Sequence, residues 1–178
     1  MGDTVIPPVD LAASPPMAAA ERHTLVTFLD YFRSVLLRKA SGLTPEQLAT
    51  RLGPSTLTIG GIVKHMAVVE DGWFQEVWLD AEMPEPWASV DWEHHPDWEF
   101  DTAGDDSPTD LLQLFTAAVD RSRAAVETCD DLDLLAAREL SSGPTSMRWI
   151  LVHMIEEYAR HCGHADLIRE SLDGSTGD

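Results

Sequence analysis

His153-Met154-Ile155-Glu156-Glu157-Tyr158-Ala159-Arg160-His161-Cys162-Gly163-His164 is the middle of a helical pattern that runs from about Ser146 to Leu172 and stops at Gly174. At 100° per residue, Ile150, Met154, Ala165 and Ile168 define one apolar stripe. Glu157 and His161 project onto that stripe one turn apart, with His164 near its edge and His153 slightly further round. A carboxylate and imidazoles directed into a core need a compensating partner, because burying unpaired charge is costly. A divalent metal is one such partner, and Glu and His at i and i+4 form a pair that helical bundles use to chelate. A salt bridge along the helix is the other reading.

Working outward from this helix, three more long helical patterns emerge. Leu25, Phe28, Leu29, Phe32, Val35 and Leu36 recur at three and four, predicting a first helix from about Ala18 to Lys39, with Ser41-Gly42 as its stop. Thr44-Pro45-Glu46-Gln47 opens a short capped turn that ends near Gly53. A second long helix is expected over 58–79, with Ile59, Ile62, Val63, Met66, Val69, Trp73 and Val77 as its buried stripe. Gly60 and Gly61 cost about 1 kcal/mol each relative to Ala. They fit either a close helix–helix approach or backbone access near a ligand. Ser107-Pro108-Thr109-Asp110 caps the third helix, which reaches about Cys129. The apolar face of that helix is Leu111, Leu114, Phe115, Ala118, Val119, Ser122 and Val126.

Four long helices and no credible strand predict an all-α, four-helix bundle over 17–174. Residues 1–16, with four prolines and no period, read as a flexible N-terminal arm, and 175–178 as a disordered tail. The connection at 80–106 is far longer than the two to eight residues usual in bundles. That length predicts a crossover, with the second and third helices parallel. Trp87, Trp92 and Trp98 in this stretch suggest a lid over a pocket.

A third ligand for Glu157 and His161 has to come from another helix. His65, beside the stripe of Ile62, Met66 and Val69, is the only histidine of the inner helices outside the fourth-helix group. His23 reads as a surface residue of the first helix, and His94 and His95 as solvated loop residues. Three protein ligands leave a position open for water or substrate, as in catalytic zinc sites. A ligating histidine normally donates its second ring N–H to a carboxylate or carbonyl. Glu70, Asp71 and Asp166 are candidates for that role, against the plainer expectation of exposed helix acids. Arg160 and Arg169 read as surface residues, or as contacts for an anionic substrate group.

The formal charge of −19, from 31 acidic against 12 basic residues, leaves no cationic stripe for nucleic acid. No apolar run approaches the length of a membrane span. Residues 1–16 lack the basic and apolar regions of a secretory signal, so the expected location is the cytoplasm. Cys129 and Cys162 are expected to be free, buried thiols.

Two stretches carry a family resemblance: Thr58-Ile59-Gly60-Gly61-Ile62-Val63-Lys64-His65-Met66, and the fourth-helix segment from Arg148 to Glu170. They resemble the DinB-like superfamily, most closely its actinobacterial branch of mycothiol-dependent transferases and isomerases. The similarity spans about Glu21 to Gly174. It implies a bundle with an unusual crossover and a divalent metal, zinc or nickel, near one end. Ligands in that superfamily are commonly three histidines, one on the second helix and two spaced by four on the last. Here those positions hold His65, Glu157 and His161. Glu in the second of them is shared by the mycothiol-dependent branch, such as its maleylpyruvate isomerase.

The resemblance therefore implies metal ligation by His65, Glu157 and His161, with His164 or His153 as pocket residue or reserve ligand. One carboxylate and two neutral imidazoles leave a zinc site near +1, which favours either a bound hydroxide or a bound thiolate. The expected function is a thiol S-transferase or isomerase acting on mycothiol, or another low-molecular-weight thiol, and an electrophilic substrate. A metal-dependent hydrolase and a non-enzymatic, stress-related metal-binding bundle are the alternatives. Either a monomer or a homodimer is compatible with the sequence.

Overall fold

The computed structural model describes residues 5–176, so residues 1–4 of the expected arm and 177–178 of the expected tail lie outside the described residues. Four long helices dominate: α1 (Glu21–Ala40), α3 (Ile59–Asp71), α5 (Pro108–Glu127) and α6 (Met147–Asp173). Two short helices, α2 (Pro45–Leu48) and α4 (Trp98–Thr102), lie in the connections. Among the described residues, extended pairing is limited to isolated bridges such as Leu135 with Ser146.

The sequence signals at the helix ends act as expected. Thr44 and Ser107 form capping boxes with Gln47 and Asp110, each followed by proline at the first helical position. Thr58 and Ser146 accept the backbone N–H groups of Gly61 and Trp149. Gly174 ends α6 in the left-handed region, at φ 76°.

Side-chain pairs give the direction of each helix. Glu21 meets Arg148, Phe32 meets Cys162 and Lys39 meets Asp166, so α1 and α6 run parallel. Leu111 lies beside Gly60 and Arg121 beside Asp71, so α3 and α5 are also parallel. His65 faces His161 while Trp73 faces Trp149, which makes α3 and α6 antiparallel. The chain thus runs up, down, down, up, and the segment after α3 makes the expected crossover.

Three expectations need correction. The second long helix is not one α-helix to Leu79, because after Asp71 it continues as a π-helix over Gly72–Trp78. Trp73, within this π-helix, packs against Trp149 and His153 of α6. Residues 80–106 are not wholly irregular, since they hold a 3₁₀ turn at Trp87–Ser89 and α4. Glu70 and Asp71 are not exposed helix acids, for both are completely buried.

Glu70 and Asp71 each have a cation from another helix. Arg33 of α1 donates from Nε and Nη2 to the two oxygens of Glu70, both at 2.7 Å. The Tyr158 hydroxyl of α6 donates to Glu70 Oε1, also at 2.7 Å. Burial works against the charge of Arg33, but Glu70 outweighs it and raises the guanidinium's pKa. Burial, then Glu70, holds the Tyr158 hydroxyl protonated well above its ordinary range. Asp71 takes two bonds from Arg121 at 2.8 Å and one from the Trp87 indole at 2.8 Å. Trp87 is thereby part of the core, and the crossover is tied to α3 and α5 at one carboxylate.

The proline-rich segment at the N-terminus lies against the bundle from Ile6 onward. Ile6 is completely buried, its carbonyl accepts from Gly42, and the Ala12 N–H donates to Ser34 Oγ. These contacts give a segment without helical period a fixed place on α1.

Removing Arg33 would leave a charged Glu70 in the core without its counterion. Arg33→Met should cost about 3–5 kcal/mol in urea denaturation. Replacing the set together (Arg33→Met, Glu70→Leu, Tyr158→Phe) should recover most of that loss.

Candidate metal centre

His65 lies in the second turn of α3, and Glu157 and His161 in the middle of α6. The antiparallel approach of these helices brings one donor atom from each residue within 4.8 Å of the others. His161 Nε2 stands 3.5 Å from Glu157 Oε2. That is longer than a good N–H···O bond. It matches the edge of about 3.4 Å between two ligands held at about 2.1 Å from a tetrahedral ion.

The His65 ring is held by the crossover. Its Nδ1 lies 2.9 Å from Glu99 Oε1 on α4. A carboxylate accepts, so Nδ1 carries a proton and Nε2 is the nitrogen that would face a metal. Phe100, the next residue, stacks on the His65 ring at 4.8 Å and 25°. Phe100 can approach because Gly61 lacks a side chain, where a Cβ would sit 3.0 Å from the phenyl ring. The close approach considered for Gly61 is therefore to α4, and at Gly60 it is to Leu48 and Leu111. Lys64 anchors the same segment by donating to Thr102 Oγ1 at 2.8 Å and to Asp106 Oδ2 at 2.6 Å. Its ammonium also lies 4.2 Å from the centre of the Trp98 ring.

His161 is buried, and its ring is 4.9 Å from that of His65 and 5.4 Å from that of His164. Burial, reinforced by His65, His164 and Arg160, pushes its pKa down to about 4. It is therefore neutral at physiological pH, the form that ligates metals. His161 Nδ1, His164 Nδ1 and Glu99 Oε2 are buried without a hydrogen-bond partner among the described residues. Such orphaned polar atoms, gathered around convergent donors, fit a centre that a cation and its bound molecules complete. Glu157 is steadied by Arg160, whose Nη1 donates to Oε1 at 3.0 Å and leaves Oε2 toward His161.

The remaining candidates fall into place around this cluster. His153 lies one turn before Glu157, with Nε2 at 3.9 Å from Glu157 Oε1, and forms a second grouping with Glu156 and Glu157. His23, His94 and His95 are exposed. None of Glu70, Asp71 and Asp166 is the carboxylate found on His65. Asp166 pairs with Lys39 at 2.5 Å, and the other two serve the core. Arg169 is occupied by Asp173 and by the carbonyls of Lys39 and Ser41, where it caps α1. Both cysteines are free and buried. Burial, then Asp166, raises the Cys162 thiol to about 12.

Neither spacing nor periodicity in the sequence marks Glu99 or Phe100 as partners of His65. Pro96, just ahead of Trp98-Glu99-Phe100-Asp101-Thr102, was the available sign of a helix start.

A four-helix bundle with a long crossover and a His/Glu/His cluster between its second and last long helices is a DinB-like protein. The chain belongs to the mycothiol-S-transferase family, whose sequence profile matches residues 24–174. No curated protein matches the chain.

Two outcomes are expected at this centre. Glu99→Gln removes the negative acceptor on His65 Nδ1 and should weaken divalent-metal affinity about 10–100-fold in chelator competition. The second outcome concerns acid. The folded pKa of His161, about 4, lies below the ordinary 6.5, so the unfolded chain takes up the proton first as pH falls. The stability this residue contributes to the metal-free protein is complete above about pH 6.5 and is lost by about pH 4. His161→Gln should flatten the fall in urea midpoint across that window.

Proposed function

We propose that this protein is a metal-dependent S-transferase that joins mycothiol, or a similar low-molecular-weight thiol, to an electrophilic substrate. The observation that carries this reading is the convergence of His65, Glu157 and His161 within 4.8 Å on two antiparallel helices. Membership of the mycothiol-S-transferase family supports the thiol as the co-substrate. The chain's own cysteines support it too, since a thiol raised to about 12 and buried, as in Cys162, is a poor nucleophile at neutral pH.

A divalent ion, for which two imidazoles and a carboxylate suit zinc best and nickel next, would lower the pKa of an incoming thiol so that its sulfur is nucleophilic at neutral pH. The protein's residues prepare that environment. Glu99 fixes the tautomer and tilt of His65, and Phe100 covers one face of its ring. Burial keeps His161 neutral, and Arg160 orients Glu157. One carboxylate against a divalent ion leaves a net positive centre, which suits an anionic sulfur.

No helix among the described residues is long and apolar enough to cross a membrane. Action in the cytoplasm, as a monomer or homodimer, completes the proposal, and two free cysteines accord with a reducing compartment.

Cobalt-substituted protein, prepared without a nickel-affinity step, should hold about one ion per chain by elemental analysis. Adding mycothiol should produce a sulfur-to-cobalt charge-transfer band, and His65→Ala should abolish both the ion and the band. Metal-dependent hydrolysis without added thiol, with no spectral response to mycothiol, would sink the transferase reading.

A further inference from the structure

Beyond the donor cluster, a cleft of about 410 Å³ opens where the π-helix meets the start of α6, between Trp73, Leu135, Leu140, Pro144, Thr145 and Trp149. None of its lining residues is ionisable, although 24% of the chain is charged. A charged ligand group would lose water there without gaining a counterion. The chain's overall charge of −19 adds a further penalty for anions. The cleft therefore offers a charged ligand group no counterion among its lining residues, which leaves hydroxyls (Ser142, Thr145, Ser146) and apolar surface as its contacts.

Its aromatic side is built for a flat partner. Trp149 stays half exposed, with a relative exposure of 50%. One face of Trp149 stacks on His153 at 4.8 Å and 17°, and the ring tilts against Trp73 at 5.1 Å and 51°. Trp73 also meets the edge of His153 at 4.8 Å. The π-helix that carries Trp73 is a rare form, frequent at functional sites. In this chain it turns an indole toward α6. His153, stacked on Trp149, lies between the cleft and the cluster, its Nε2 3.9 Å from Glu157 Oε1.

We infer that this cleft holds the uncharged, planar ring portion of the electrophilic co-substrate. The word electrophilic rests on the proposed transferase activity; the recognition of an uncharged ring does not. Trp149 lies eight residues before Glu157 on α6, about 12 Å along the helix, so a substrate with its ring against Trp149 would need a span of that order to carry its reactive carbon past His153 to the centre. The specificity this assigns is for neutral aromatic electrophiles over their carboxylated analogues.

The test uses an inert pair that shares one ring, 1-naphthaleneacetamide and 1-naphthaleneacetate, titrated into the metal-loaded protein without thiol. Calorimetry should show the amide binding at least tenfold more tightly than the carboxylate. The indole N–H resonances of Trp73 and Trp149 should shift, and those of Trp87, Trp92 and Trp98 should not. Trp149→Ala should weaken the amide tenfold or more. Leu135→Asp places a charge at an exposed rim position (relative exposure 59%), where folding is not at stake, and should weaken it similarly. Equal affinity for amide and carboxylate, shifts confined to other tryptophans, or no effect of either substitution would overturn the inference. So would loss of binding at protein concentrations where sedimentation shows a dimer, since a second copy would then cover the cleft. Ring binding that persists in protein unresponsive to mycothiol would sink the transferase reading and leave the cleft standing.

Discussion

A guanidinium and a carboxylate, both withdrawn from water, sit at the junction of three helices, and the remainder of the bundle is arranged around them. Arg33 on α1 and Tyr158 on α6 converge on Glu70 of α3. An ion pair in such a place is weak evidence of net stability, because desolvation offsets much of the attraction. Its consequence is geometric. Leaving any member unpaired is so unfavourable that the helices have one acceptable axial register. His65 lies five residues before Glu70, and His161 three residues after Tyr158. With α3 and α6 antiparallel, those steps lead along the bundle in the same direction, by about 7.5 and 4.5 Å at 1.5 Å per residue. Meeting of Tyr158 and Glu70 therefore brings His65 level with His161.

The same device recurs along α3. Lys64 reaches Thr102 and Asp106, and Asp71 reaches Arg121 and Trp87. Cations are scarce in this chain, 12 against 31 acids, yet Arg33 and Lys64 are both buried. These interior pairs pin both ends of the crossover to α3. Pinned in this way, α4 delivers Glu99 and Phe100 to the His65 ring. A segment with little regular structure becomes a rigid support for the His65 ring, and loop-borne functional groups require such a support.

Charge is also distributed with a purpose outside the core. The donor cluster combines acid and imidazole, whereas the adjoining cleft at Trp73 and Trp149 has no ionisable lining residue. His153 lies between the two environments and contacts both. A metal held at the cluster would put positive charge on one side of His153 and leave the uncharged aromatic surface on the other.

Local periodicity and capping residues by themselves determined the four long helices. The caps at Thr44 and Ser107 and the stop at Gly174 could be read because capping is settled within a few residues of chain. The shared stripe of Glu157 and His161 followed from helical geometry alone, and the resemblance implied His65 as their companion. Tertiary structure decided the rest. Glu99 lies 34 positions from His65, and no spacing rule connects them. Glu70 and Asp71 have the sequence appearance of surface acids, because burial of a carboxylate depends on which cation another helix presents. The change of helix type after Asp71 accompanies the packing of Trp73 against α6, an interaction with a helix more than seventy residues away. Short-range hydrogen bonding can be read from neighbouring residues, but the pairing of buried charges and rings is set only when distant helices meet.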